Sequence, residues 1–322
     1  MADADPRRSP LSGFILVGVA GPQDGHSYLW PLLLVIYLLI LAGNGTVVYM
    51  VTTDKRLHRS THFLTANLGV VDLVLATVVL PTMLVGLMWD ARVILWRNCF
   101  IQMYFFHGMS VVRTMTLSLM AYEHSVAICN PQRHLSLNRD DIFVKMAAVI
   151  WVLGLTCFLP PVVQASIFPL CGSNKVYNSF CELLSVTRLI CPETVSVTLF
   201  IVLLNVLLLL SSLLIIVCSY IKIAKSVRIT TQPERRRVWS TCIPHVAAIC
   251  MFFPLKILYS TAFCASCLSP AFGVSSALLY VILNPLVSPF IYIITTKEMK
   301  EKIAKLIIKT PHIGSTVSVE GH

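Results

Sequence analysis

Seven membrane-crossing helices in an all-α fold, with a short amphipathic helix after the seventh, are what the sequence predicts. Three observations carry this expectation. The 322 residues are 56% hydrophobic and only 12% charged, too apolar for an ordinary soluble domain. Seven stretches run to ~20 or more largely apolar residues, enough to cross a bilayer core of ~30 Å as helix. Lys and Arg gather in alternate connections between those stretches.

The first span, Leu29–Val51, follows a segment without the basic start and apolar run of a cleavable signal peptide. The span itself is therefore expected to serve as the insertion signal. It contains Asn44-Gly45-Thr46, formally a glycosylation acceptor but placed inside a helix where it cannot be reached. The second span, Thr61–Gly86, surrounds Asp72, and the third, Cys99–Tyr122, carries His107 and Arg113. The fourth and fifth are Lys145–Ile167 and Val195–Tyr220. Pro244, Pro254 and Lys256 interrupt the sixth, Trp239–Phe263, and kinking prolines are tolerated in membrane helices. The seventh, Ala271–Ile294, holds Pro289, which removes a backbone hydrogen bond and makes a hinge. Beyond it, Lys297–Lys309 alternates basic residues with Met299, Ile303, Leu306 and Ile307, as a helix lying on an anionic leaflet would.

The net charge of +10 raises the question of a nucleic-acid partner, and its distribution answers it. One set of connections holds Lys55, Arg56, Arg59, Arg133, Arg139, Lys145, Lys222, Lys225, Arg228, Arg235, Arg236 and Arg237, with the tail adding more. The other set holds only Arg7, Arg8, Arg92, Arg97, Lys175 and Arg188. This positive-inside pattern predicts an outer N-terminus and a cytoplasmic tail, with the lipid bilayer as partner and no nucleic acid. No internal repeat or low-complexity linker divides the chain. A single domain over 1–322 is expected, with an extracellular segment 1–28, a bundle 29–294 and a tail 295–322.

Four of the eleven cysteines fall on the expected outer side: Cys99, Cys171, Cys181 and Cys191. An even count on an oxidising face favours disulfides, and four cysteines permit three pairings.

Ionisable residues inside a membrane belong in the bundle interior. At ~1.5 Å rise per residue, Asp72 and Arg113 both lie ~15 Å from the inner end, near the level of Asn44 and Ser288. A guanidinium can hold a carboxylate bidentately, so the two are expected to pair; the other reading turns Arg113 to a different polar group. A second layer, ~10–12 Å below the outer end, contains His107 and Lys256. Around them stand Met103, Tyr104 and Phe106, then Phe252, Phe253 and Tyr259, a lining suited to a small apolar molecule with few polar groups. Lys256 has two placements: inward, where it would favour a carboxylate or another acceptor, or snorkelling to the surface.

Other classes find little support. Matching Gly- or Pro-interrupted halves of a transporter are missing, and no lysine lies between Ala271 and Ile294 to hold retinal. No nucleophile stands with a base, and no Gly-rich phosphate loop or metal-ligand spacing occurs. An enzyme, a cofactor and a metal are not expected.

The run Met120-Ala121-Tyr122-Glu123-His124-Ser125-Val126-Ala127-Ile128-Cys129-Asn130-Pro131 resembles the motif of the vertebrate odorant receptors, a rhodopsin-like receptor family. Further matches are Phe180-Cys181-Glu182, Ser219-Tyr220 with Ile223, Ser240 to His245, Ser288-Pro289-Phe290-Ile291-Tyr292 and Thr296-Lys297-Glu298. The resemblance implies bridges Cys99–Cys181 and Cys171–Cys191, and a volatile ligand held by Met103, Tyr104, Phe106, His107, Phe253, Lys256 and Tyr259. In this wider family an Asp at the place of Asp72 helps hold a sodium ion, so Arg113 would take the ion's place. Glu123, His124 and Ser125 stand where the family has Asp-Arg-Tyr. With Arg235, Arg236 and Arg237 they would face a stimulatory olfactory G protein at the plasma membrane. His124 cannot form the hydrogen-bond fork of the family arginine. The alternative is a receptor-shaped protein that binds ligand, or only folds, with weak or lost coupling.

Overall fold

Apolar runs long enough to span a bilayer must satisfy every backbone polar group internally, and helices are how this chain does so. The structure, a computed structural model, describes residues 13–18, 23–57, 59–89, 91–130, 139–171, 173–191, 195–264, 270–295 and 299–303. The helices are α1 (Gln23–Thr53), α2 (Ser60–Trp89), α3 (Trp96–Cys129), α4 (Arg139–Cys157), α5 (Leu159–Ile167), α6 (Leu183–Thr187), α7 (Val195–Val227), α8 (Gln232–Cys264) and α9 (Pro270–Thr295). Most outrun their apolar stretches at one or both ends, because a helix need not stop where the hydrocarbon does.

The expected single fourth span is two helices. Pro160 and Pro161 open α5 after Phe158, and a proline cannot supply the N–H that would continue α4. Together α4 and α5 make one crossing, and among the described residues six crossings are long and apolar enough to span a membrane. The seventh is α3, 34 residues long and richer in polar groups. Every residue from Phe106 to Thr114 is buried, so this helix is enclosed by its neighbours on all sides. It packs against α2, α4, α7 and α8, and its polar side chains find partners there.

Close approach of α3 and α4 depends on two facing glycines. A Cβ on Gly154 would meet Val112 Cγ2 and lie 2.8 Å from the Gly108 carbonyl oxygen. Gly154→Ala is expected to cost about 1–3 kcal/mol by overpacking, read as a lower melting temperature of the purified protein. An unchanged melting temperature would show that this seam can relax.

One end of the bundle carries a small sheet that the all-α expectation did not include. Strand β1 (Gly13–Leu16) lies between β2 (Val93–Leu95), antiparallel, and β3 (Lys175–Val176), parallel. Phe14 is fully buried, its ring 4.1 Å from that of Trp96 and edge-on to it. Two disulfides, Cys99–Cys181 and Cys171–Cys191, fasten the connection after α5 at the same end.

At the opposite end Asp54 begins a turn after α1. Its carboxyl is held below the usual range, first by the Arg56 N–H, which donates to it at 3.0 Å. Residues 299–303 are helical, and Lys302 reaches the Met50 carbonyl, Thr53 and Asp54 at 3.0, 3.0 and 3.4 Å. The rest of the expected amphipathic helix lies outside the described residues.

Candidate functional site

Three buried polar layers cross the bundle, all of them built on α3. The layer under the sheet begins at Glu182, the N-cap of α6, whose carboxylate accepts from the Ser185 N–H at 2.7 Å. Tyr259 of α8 donates to the same carboxylate at 3.2 Å, and His107 Nε2 lies 3.7 Å from it. Burial pushes the Glu182 carboxyl above the usual range, against the pull of these hydrogen bonds. The His107 ring stacks on Phe158, the residue at the α4–α5 break, with centroids 4.9 Å apart.

Lys256 faces inward and is 5% exposed. Its ammonium donates to Ser110 Oγ at 2.5 Å and lies 5.5 Å from the Tyr280 ring centroid. Ser110 in turn shares a 2.7 Å hydrogen bond with the Tyr280 hydroxyl, and Tyr280 stacks on Tyr259 at 5.2 Å. Phe106 stands edge-on to Tyr259 and Tyr280, with Phe180 of the loop 4.9 Å away. The loop is pinned by Gln102, whose side-chain oxygen accepts from the Cys181 N–H at 2.8 Å. Its amide nitrogen donates to the Val78 carbonyl and to Thr82 at 2.8 and 3.1 Å.

A cavity of about 50 Å³ adjoins this layer, lined by His107, Glu182, Leu184, Val202, Asn205, Val206, Leu209, Tyr259 and Ser260. Of the residues that the sequence suggested for a ligand, His107 and Tyr259 line it. Lys256 stands one step deeper. Met103, Phe106 and Phe253 are buried, while Tyr104 is half-buried with its ring against Phe105. Ser110, Tyr280 and Asn205 complete the layer and were not singled out by the sequence, and Glu182 was noted there only as part of a motif, with no role given.

In the middle layer Arg113 and Asp72 form an ion pair, both essentially inaccessible at 2% and 0% exposure. The second guanidinium nitrogen donates to Ser288 Oγ at 2.9 Å, and the group lies 5.3 Å from the Phe252 ring centroid. Asn44 is used differently. Pro289 has no N–H for the Pro285 carbonyl one turn back, and the Asn44 amide donates to that oxygen at 2.9 Å. Asn44 thus repairs the broken turn of α9.

At the far end Glu123, His124 and Ser125 are all buried. Ser60 and Thr61 donate to one Glu123 oxygen at 2.8 and 2.9 Å, and His124 Nδ1 lies 3.3 Å from the other. Ser125 donates to the Tyr122 carbonyl at 2.9 Å, a bond local to α3. The His124 ring stands edge-on to that of His245 at 5.3 Å. His245 Nε2 sits 3.0 Å from the Leu117 carbonyl, which can only accept, so Nε2 carries the proton. Nδ1 shares a 2.9 Å hydrogen bond with the Tyr220 hydroxyl, so the ring joins α3, α7 and α8. Arg235, Arg236 and Arg237 stand on the first turns of α8, the last two exposed. Among the described residues no group of three or more His, Cys, Asp or Glu is placed to hold a metal ion.

A family model described as Olfactory receptor matches residues 33–310. Olfactory receptor 6N1 of Homo sapiens is 31% identical, over 92% of this chain and 95% of its own length. Olfactory receptor 13D1 of Homo sapiens is 30% identical, over 95% of this chain and 88% of its own. Olfactory receptor 1M1 of Homo sapiens is 29% identical, over 94% and 97%. Among solved structures, squid rhodopsin superposes with a TM-score of 0.73 and 15% identity, covering 90% of this chain and 87% of that one. At that identity the likeness is one of fold.

Proposed function

The chain belongs to the olfactory receptor family, and from that premise we propose that its odorant is a small volatile molecule bearing a hydrogen-bond acceptor, held at the layer of His107, Glu182 and Lys256. The observation that carries this reading is the buried ammonium of Lys256. It is directed at Ser110 and Tyr280 instead of at the surface, so a carboxylate or carbonyl entering the layer meets a desolvated cation. The adjoining cavity of about 50 Å³ is smaller than the roughly 300–1,000 Å³ of a small-molecule site. The ligand gains its room by displacing Tyr259 and the Glu182 segment, which makes that segment a lid.

In this reading residues 1–28 are extracellular, 29–294 cross the plasma membrane and 295–322 are cytoplasmic, all in one domain. The end carrying the disulfides faces outward. The layer of Glu123, His124 and Ser125, with Arg235, Arg236 and Arg237, faces a stimulatory olfactory G protein that raises cyclic AMP.

Lys256→Met tests the ligand class. With surface expression equalised, the variant is expected to raise the half-maximal concentration for short carboxylic acids and aldehydes by ~10–100-fold. That factor corresponds to one lost hydrogen bond to a charged group. An unchanged concentration–response curve would show that Lys256 does not hold the ligand. A second reading, a receptor that binds without signalling, is favoured by one observation: His124 stands in the place of the family arginine.

A further inference from the structure

A second cavity, larger than the one beside His107, touches the loop that carries Glu182. A space of about 420 Å³ opens between α1, α2 and α9 under the small sheet. Its walls are aliphatic, with Leu33 and Ile36 from α1, Leu87 from α2 and Ile282 from α9. From Leu29 to Ile36, or from Ser275 to Ile282, is seven residues of helix, so the space reaches ~10 Å into the bundle. Leu29 and Leu32 line it and are 41% and 57% exposed on the bundle's outer surface, so it opens sideways toward lipid. Charge enters the lining at one place only, where Arg92 stands beside Ser179 at the sheet end.

An apolar pit with a cationic rim and a lateral mouth matches one chemistry. We propose that this cavity binds the alkyl chain of a free medium-chain fatty acid, which enters from the bilayer and leaves its carboxylate at Arg92. The volume suits a single chain and excludes the paired chains of a phospholipid held as a unit. The long axis of the pit places a carboxylate at the level of the sheet, where Arg92 is exposed. The site also touches the lid. Thr82 lines the cavity and accepts from Gln102, which accepts from the Cys181 N–H, so an occupant bears on the segment that carries Glu182. This last step rests on the proposed lid; binding itself does not.

The test uses full-length receptor in nanodiscs of phosphatidylcholine, a photoreactive diazirine dodecanoic acid, and mass-spectrometric mapping of labelled peptides. Labelling is expected within residues 29–36 and 275–282. Gly86→Leu fills the cavity: a Cβ there meets nothing nearer than the Ala91 carbonyl oxygen at 3.7 Å, so the side chain has room to enter. Ser275→Phe fills it from the opposite wall. Either variant should lower labelling at these peptides at least tenfold, and Arg92→Gln should abolish the preference for the acid over its methyl ester. Retained labelling in both filled variants overturns the proposal. So does displacement of the probe by added phosphatidylcholine as efficiently as by dodecanoic acid, which would assign the space to bilayer chains. A cyclic AMP response to odorant, measured in the same variants, separates this outcome from failure of the Lys256 site.

Discussion

Arg113→Ala is expected to remove most of the folded receptor from the cell surface. The substitution leaves the Asp72 carboxylate, at 0% exposure, without its cation, and losing one member of a buried pair costs about 3–5 kcal/mol. Ser288 loses its donor at the same time. Arg113→Ala combined with Asp72→Asn should recover a large part of that loss, because the stranded charge is gone. Purely additive damage in this double-mutant cycle would mean that the two charges act independently. Arg113→Lys should rescue only partly, since an ammonium cannot reach the carboxylate and the serine together as a planar fork does. Because the guanidinium already neutralises Asp72, sodium titration should leave ligand affinity flat.

His124→Arg is expected to turn a weak cyclic AMP response into a strong one, with a maximal signal at least ~10-fold higher at equal surface level. A restored bond to a charged group is worth ~1.5–3 kcal/mol, which is that factor or more. In the unmodified chain Glu123 is engaged by Ser60, Thr61 and His124, and the His124 ring is turned toward His245. A histidine is shorter than an arginine and lacks its planar fork of donors, so it cannot extend from this layer or grip a partner as an arginine does. If both forms respond equally, the arginine is dispensable here. If neither responds to a broad panel of acids, aldehydes and alcohols while both reach the surface, the reading of this chain as a working odorant receptor fails.

The seven crossings were legible as largely apolar stretches, although the third, Cys99–Tyr122, belongs to a helix richer in polar groups than the other six. The break at Phe158 was not, although Pro160-Pro161 signalled it. A two-proline start to a helix and a kink inside one look alike until the N–H groups are traced. The sheet escaped notice because strands of two to four residues show no alternation to detect. In the site, depth arithmetic put Asp72 and Arg113 on one level, but depth says nothing about rotation. Asn44 shares the level and serves Pro285 instead. Lys256 shows the same limit: its stem reaches either way, and only the presence of Ser110 and Tyr280 decides the direction. Glu182 lay outside every helical count, since loops place residues by hydrogen bonding and not by pitch.

The position of β1 has a practical side for anyone handling this receptor. The strand is the middle one of three, and the N–H groups of Ile15 and of Val17 just after it donate to the Asn174 and Val176 carbonyls at 2.9 and 2.7 Å, on the loop that carries Glu182. The Asn174 side chain donates to the Gly13 carbonyl at 2.8 Å. Epitope tags, signal sequences and fluorescent fusions are routinely spliced onto such N-termini to aid delivery. Here a junction cut at or beyond Gly13 would unstitch the loop over the proposed binding layer, and a chimera so made would report on the graft instead of the receptor. Junctions placed ahead of that residue keep the stitch, and a dye attached there would report any movement of that loop.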